Sequence, residues 1–99
     1  IPLGAILARR SLNAAALGRA ARASVEYAWA HPEASAAYVA AHADEMAPDV
    51  QRRHIDLYVN EFTRDLGEEG HAAVRGLLGR AAQAGLVPPV DLDAIALPR

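Results

Sequence analysis

His54–Gly70 reads HIDLYVNEFTRDLGEEG. In this stretch Ile55, Tyr58, Val59, Phe62 and Leu66 recur at three- and four-residue steps, which places them on one stripe of a helix. Asp56, Asn60, Glu61 and Arg64 fall largely on the other faces. Bulky side chains such as Phe62 and Tyr58 are scarce in this alanine-rich chain. Each buries far more area than an alanine, so they set how the helices meet. The stripe ends at Gly67, a residue free to take the left-handed conformation that terminates a helix. Glu68 and Glu69 then fall in the first turn of a following helix, where its dipole favours negative charge. The stretch therefore predicts one helix over about Pro48–Leu66 and a second over about Glu68–Ala84.

The same logic extends outward. Downstream, Val74, Leu77, Leu78, Ala81 and Ala82 form the inward stripe of the last helix. Gly85 and Leu86 suit a Schellman-type end, and Pro88-Pro89 prevents continuation. The tail, Val90–Arg99, carries little structural signal and is expected to be a short extended piece or to drape over a neighbouring lobe. Upstream, Pro48 and Pro32 each suit the first position of a helix, with Asp49 and Glu33 beside them. The helix beginning at Pro32 is expected to run to about Ala43 or Met46, with Tyr38 among its larger side chains. Another helix spans about Asn13–Ala30, with Ser11 or Asn13 as its cap. Its stripe is Leu17, Ala21, Val25, Ala28 and Trp29; Arg19, Arg22 and Glu26 face away. His31-Pro32 ends it, because the residue before a proline disfavours the helical region.

Ile1–Ala8 is a short apolar run that contains Pro2 and Gly4. Its length and Ile/Leu content predict an extended strand. One strand cannot satisfy its own hydrogen-bonding groups, so such a strand needs partners beyond these residues. The expected class is mainly α: about four helices after one N-terminal strand. Short, proline-marked connections favour an antiparallel helical arrangement.

The chain has 99 residues, ten basic against twelve acidic side chains, four histidines and no cysteine. This length is one small domain at most. Without cysteine there is no disulfide or thiolate chemistry. A net charge of −2 and two isolated arginine doublets, Arg9-Arg10 and Arg52-Arg53, are too little for a nucleic-acid footprint. No apolar run approaches the roughly 20 residues of a membrane span. In the N-terminal run the arginines follow the apolar residues, the reverse of a signal peptide.

Candidate chemistry is sparse. His31, His42, His54 and His71 show no His-x-x-x-His spacing, so no metal site is expected and surface histidines are the simpler reading. Glu68-Glu69 is read as helix-start charge, since adjacent helical side chains point about 100° apart; Asp44-Glu45 is read as a solvated face. Asn60 and Thr63 lie beside the apolar stripe, where they either turn a polar atom to a ligand cleft or bridge helices. Pro2, Leu3 and Gly4 are the better candidates for lining a cleft, because Gly4 permits close backbone approach. The alternative for Pro2–Gly4 is a plain buried strand.

His54–Gly70, taken with SVEYAWAHPEAS at 24–35 and AAQAGLVPPV at 81–90, resembles the C-terminal part of the 1,4-dihydroxy-6-naphthoate synthase family. Those enzymes belong to the futalosine route to menaquinone. The resemblance runs from Ile1-Pro2-Leu3-Gly4 to about Val90. The family's enzymes are much longer, which implies that these residues are a C-terminal segment. It further implies a two-lobed α/β fold like the type-2 periplasmic binding proteins. Residues 1–10 are then the inter-lobe strand, 11–86 a helical region and 87–99 a tail, within one segment spanning 1–99.

The implied activity is a lyase-type conversion of cyclic dehypoxanthinyl futalosine to 1,4-dihydroxy-6-naphthoate, without a cofactor, in the cytoplasm. Such chemistry asks for an acid or base in a dry cleft. The family's catalytic histidine is expected upstream of Ile1, so 1–99 alone is expected to be inactive. Its implied partners are that small-molecule substrate and the remaining N-terminal portion, with no nucleic acid or membrane. The competing readings are the related chorismate dehydratase of the same pathway and a non-catalytic solute-binding or helical interaction module.

Overall fold

The computed structural model describes residues 1–44 and 47–94. They form five α-helices and two short 3-10 turns. Helix α1 is Ala14–Ala30, α2 is Ala36–His42, α3 is Pro48–Tyr58, α4 is Glu61–Arg64 and α5 is Gly67–Gln83. The 3-10 turns are Pro32–Ala34 and Leu92–Ala94. The chain divides into two compact units, one of Ile1–Gly18 with Leu66–Arg99, the other of Arg19–Asp65.

In the first unit, Asn13 caps α1: its Oδ1 accepts the Ala16 N–H at 3.0 Å. This is the reciprocal use of a short polar side chain and an orphan helix-start N–H. Helix α5 ends as its sequence predicts. Gly85 has φ +71°, the Leu86 N–H donates to the Ala81 carbonyl at 2.9 Å and the Gly85 N–H to Ala82 at 3.0 Å. Those two bonds define a Schellman end. Gly67 also takes the left-handed conformation, φ +62°, and α5 begins at that residue.

Ile1–Ala8 is not a strand, and no strand occurs among the described residues. A ladder needs a second backbone, and this segment finds none among them. Its apolar side chains remain open: Ile1, Leu3, Ile6 and Leu7 are all exposed. The tail, by contrast, carries local structure. It is not extended throughout; it closes into the 3-10 turn at Leu92–Ala94, nucleated by the Asp91 Oδ1 accepting the Asp93 N–H at 3.0 Å. Residues 95–99 of the expected tail lie outside the described residues.

In the second unit the long helix predicted over Pro48–Leu66 is two helices. α3 stops at Tyr58, and α4 begins only after Val59 and Asn60, both in extended conformation. The helix predicted from Pro32 is also divided: a 3-10 turn precedes α2. The expected Met46 end lies outside the described residues.

No described apolar side chain is buried; the buried residues are Gly70 and His71. The predicted stripes are real but only half covered. Ile55, Val59 and Leu66 are half-buried, whereas Tyr58 and Phe62 are each 51% exposed. On α5, Val74, Leu78, Ala81 and Ala82 are half-buried while Leu77, expected inward, is exposed. Amphipathic helices derive most of their stability from burying such faces, and here that burial is incomplete.

Candidate functional site

Asn60 and Thr63 divide the predicted long helix. Asn60 sits at φ −133°, ψ −169°, and its Oδ1 accepts the Phe62 N–H at 3.0 Å. Thr63 Oγ1 accepts the Asn60 N–H at 3.0 Å, which completes a capping box. The same two side chains also serve the end of α3. Asn60 Nδ2 donates to the Leu57 carbonyl and the Thr63 hydroxyl to the Tyr58 carbonyl, each at 3.0 Å. One residue pair thus satisfies the carbonyl end of one helix and the N–H end of the next. By their inventory of donors and acceptors, these bonds take up much of what the two side chains can offer, including the one Thr63 hydroxyl hydrogen.

Beside this clip lies an ion cluster within the same unit. Arg22 Nη2 donates to Asp65 Oδ2 at 2.6 Å. Arg64 donates from Nε to Glu61 at 3.0 Å and from Nη1 to Glu26 at 3.4 Å. The hydrogen bond to Glu61, followed by that to Glu26, holds the Arg64 guanidinium above its ordinary value. Arg22 and Glu26 therefore do not simply face solvent, as the sequence implied. Each reaches a residue about forty positions later, and helical periodicity carries no signal for such a contact.

Pro2, Leu3 and Gly4 lie in the other unit, in irregular backbone. Pro2 is half-buried, Leu3 exposed, and a Cβ added at Gly4 meets nothing within 4 Å. That unit also holds an apolar cleft of about 200 Å³, bordered by Leu78, Gly79 and Ala82 of α5 and by Pro88, Val90 and Leu92. None of the five sequence-predicted contact residues lines it. Of the five, the structure brings Asn60 and Thr63 together and leaves Pro2–Gly4 as consecutive residues elsewhere.

The histidines fall into two kinds. Three lie against a tyrosine four residues away: Tyr38 stacks with His42 at 4.2 Å between ring centroids, whereas Tyr27 with His31 at 4.4 Å and His54 with Tyr58 at 4.9 Å are tilted pairs. The spacing was visible in the sequence, since i,i+4 residues are neighbours on a helix. His71 instead is buried at 6% exposure, contrary to the surface reading. Among the described residues no three metal-ligating side chains converge. Glu68 and Glu69 sit in the first turn of α5. Arg52 pairs with Asp56 at 3.1 Å and Arg53 with Asp49 at 3.4 Å, both at four-residue spacing. Glu45 of the Asp44-Glu45 pair lies outside the described residues. No helix of the described residues is long and apolar enough to cross a membrane.

These features describe a helical segment whose apolar faces are incompletely covered and whose polar side chains fix helix ends or pair as ions. A family model described as menaquinone biosynthesis matches residues 1–83, and the chain belongs to that family. It is 64% identical, over 101 residues, to a 1,4-dihydroxy-6-naphtoate synthase of Streptomyces coelicolor; the match covers 99% of this chain and 36% of that protein. It is 49% identical, over 92 residues, to the protein of the same name from Thermus thermophilus, covering 90% of this chain and 34% of that one. The chain spans about a third of the length of these curated relatives. No solved structure matches it.

Proposed function

We propose that these residues are the C-terminal segment of a 1,4-dihydroxy-6-naphthoate synthase. The complete enzyme converts cyclic dehypoxanthinyl futalosine to 1,4-dihydroxy-6-naphthoate, as a cytoplasmic lyase of the futalosine route. The observation that carries this reading is the 64% identity maintained along essentially the whole chain.

In this reading the segment contributes scaffold. Residues 11–86 are the helical region, 1–10 lead in from the rest of the polypeptide and 87–99 form the tail. The uncovered apolar faces pack against the remainder of a two-lobed fold like that of the periplasmic binding proteins. The catalytic acid or base lies in that remainder, so 1–99 alone is inactive. Pro2, Leu3 and Gly4 are the substrate-contact candidates. Asn60 and Thr63 reach a ligand only through the hydrogen-bonding capacity that their cap leaves open.

The test is turnover of cyclic dehypoxanthinyl futalosine, followed by mass spectrometry. A protein of the relatives' length that carries this segment is expected to form 1,4-dihydroxy-6-naphthoate, and the 99-residue chain to form none. Absence of product from the long protein, with its fold verified by circular dichroism, overturns the reading. Product from the 99-residue chain overturns the placement of catalysis outside it.

A further inference from the structure

Beyond Gly85 the chain turns back along α5. Asp93 reaches Arg75, whose Nη2 donates to Asp93 Oδ1 at 3.0 Å. Arg75 precedes Gly85 by ten positions, so at ~1.5 Å per residue the contact lies about 15 Å back along the helix. The returning segment touches down at that end and stands off in between. The gap is the cleft of about 200 Å³, with Leu78 and Ala82 on one wall and Pro88, Val90 and Leu92 on the other. A Cβ added at Gly79, inside this border, meets nothing within 4 Å.

What holds the segment is slight. Among the described residues no backbone hydrogen bond ties 87–94 to α5. Pro88 and Pro89 have no N–H to offer. The Asx turn from Asp91 to the Asp93 N–H is internal to the segment. Contact with α5 therefore rests on half-buried Val87 and Leu92 and on an ion pair whose side chains are 47% and 83% exposed. An ion pair so open is weak and salt-sensitive. α5, by contrast, is a 17-residue hydrogen-bonded ladder closed by its Schellman end. Segments with so few shared bonds open separately from the element they cover.

We propose that residues 88–94 form a strap that opens and closes over the C-terminal half of α5 while α5 stays helical. Arg75–Asp93 is its latch and the Gly85 turn its pivot. Closed, the strap roofs the side of α5 that carries Leu78 and Ala82; open, it presents that apolar side. The strap is thus a conformational device independent of the proposed enzymatic role.

Thiol labelling of the 99-residue chain tests this, because its sequence has no cysteine. Ala82→Cys places one thiol on the roofed side of α5, and its rate of reaction with a maleimide reads opening. In that background Arg75→Met keeps the stem and removes the charge. It is expected to raise the labelling rate by about two- to five-fold, the weight of an exposed pair, with amide exchange across Ala72–Gln83 unchanged. Raising salt to about 0.5 M is expected to do the same with Arg75 in place and nothing further in the variant. The charge-reversed double variant, Arg75→Asp with Asp93→Arg, is expected to restore the slow labelling. Three outcomes overturn the strap: labelling at 82 indifferent to both variants and to salt, exchange in α5 rising by the same factor, or an α5 unprotected in the wild-type chain.

Discussion

Arg22 of α1 holds Asp65 through a 2.6 Å hydrogen bond although 43 residues separate them. One helical turn further along α1, Glu26 meets Arg64, the neighbour of Asp65, at 3.4 Å. Two positions four apart on one helix thus grip two consecutive residues at the end of another. Arg22 and Glu26 stand four residues apart on α1, in the weaker orientation for a helical ion pair. The structure gives each a distant partner of opposite charge instead.

The Arg22–Asp65 pair is 41% and 44% exposed at its side chains, so solvent screens it. A double-mutant cycle with Arg22→Met and Asp65→Asn is expected to give a coupling of about 0.5–1 kcal/mol. Urea unfolding followed by circular dichroism measures it. A coupling within error of zero removes the pair as a link between α1 and the end of α4.

Asn60 is the more consequential polar residue. Asn60→Ala removes the acceptor for the Phe62 N–H and the donor to the Leu57 carbonyl, and should cost about 1–2 kcal/mol. Asn60→Asp keeps the acceptor but loses the donor, and should fall between wild type and alanine. Urea unfolding followed by circular dichroism gives the order of the three. Equal stability of Asn60→Ala and wild type contradicts the capping role.

Glycine positions divide by backbone conformation. Gly67→Ala and Gly85→Ala force a side chain into the left-handed region and should each cost about 1 kcal/mol. Gly76→Ala, inside α5 with nothing within 4 Å of the added carbon, should instead stabilise by about 0.5–1 kcal/mol. Thermal denaturation of the three variants side by side reads the opposite signs.

Gly70→Ala sets two effects against each other. The added Cβ meets Leu66 at 2.5 Å from Cδ1 and 2.6 Å from Cγ. Overpacking of this kind costs about 1–3 kcal/mol, while alanine in a helix returns about 1 kcal/mol. Net destabilisation of about 1 kcal/mol is expected. It should disappear in the double variant Gly70→Ala, Leu66→Ala when compared with Leu66→Ala alone.

Helix existence was legible because prolines, glycines and periodic apolar residues are local signals. α1 and α5 fall within a residue of their predicted bounds, and both glycines with positive φ were legible. The break after Tyr58 was also encoded, in Asn60 and Thr63 at capping-box spacing, but the apolar period running through it from Ile55 to Leu66 masked it. A side chain that binds its own backbone competes with the helix, and here it prevails. The five contact candidates were less legible. Residue type suggested polarity at 60 and 63, but not that their atoms are committed to helix ends.

Sequence alone determined where helices start and stop, because caps, prolines and left-handed glycines act over four residues or fewer. It also marked which faces are apolar, through a periodicity that every helix expresses locally. Only the tertiary structure decided that Ile1–Ala8 forms no strand, since a ladder depends on a second backbone. It alone matched Arg22 to Asp65, Glu26 to Arg64 and Arg75 to Asp93, because those pairings follow from how the chain folds back on itself. It also decided that Tyr58, Phe62 and Leu77 remain exposed: periodicity aims a side chain, but only a neighbouring element covers it.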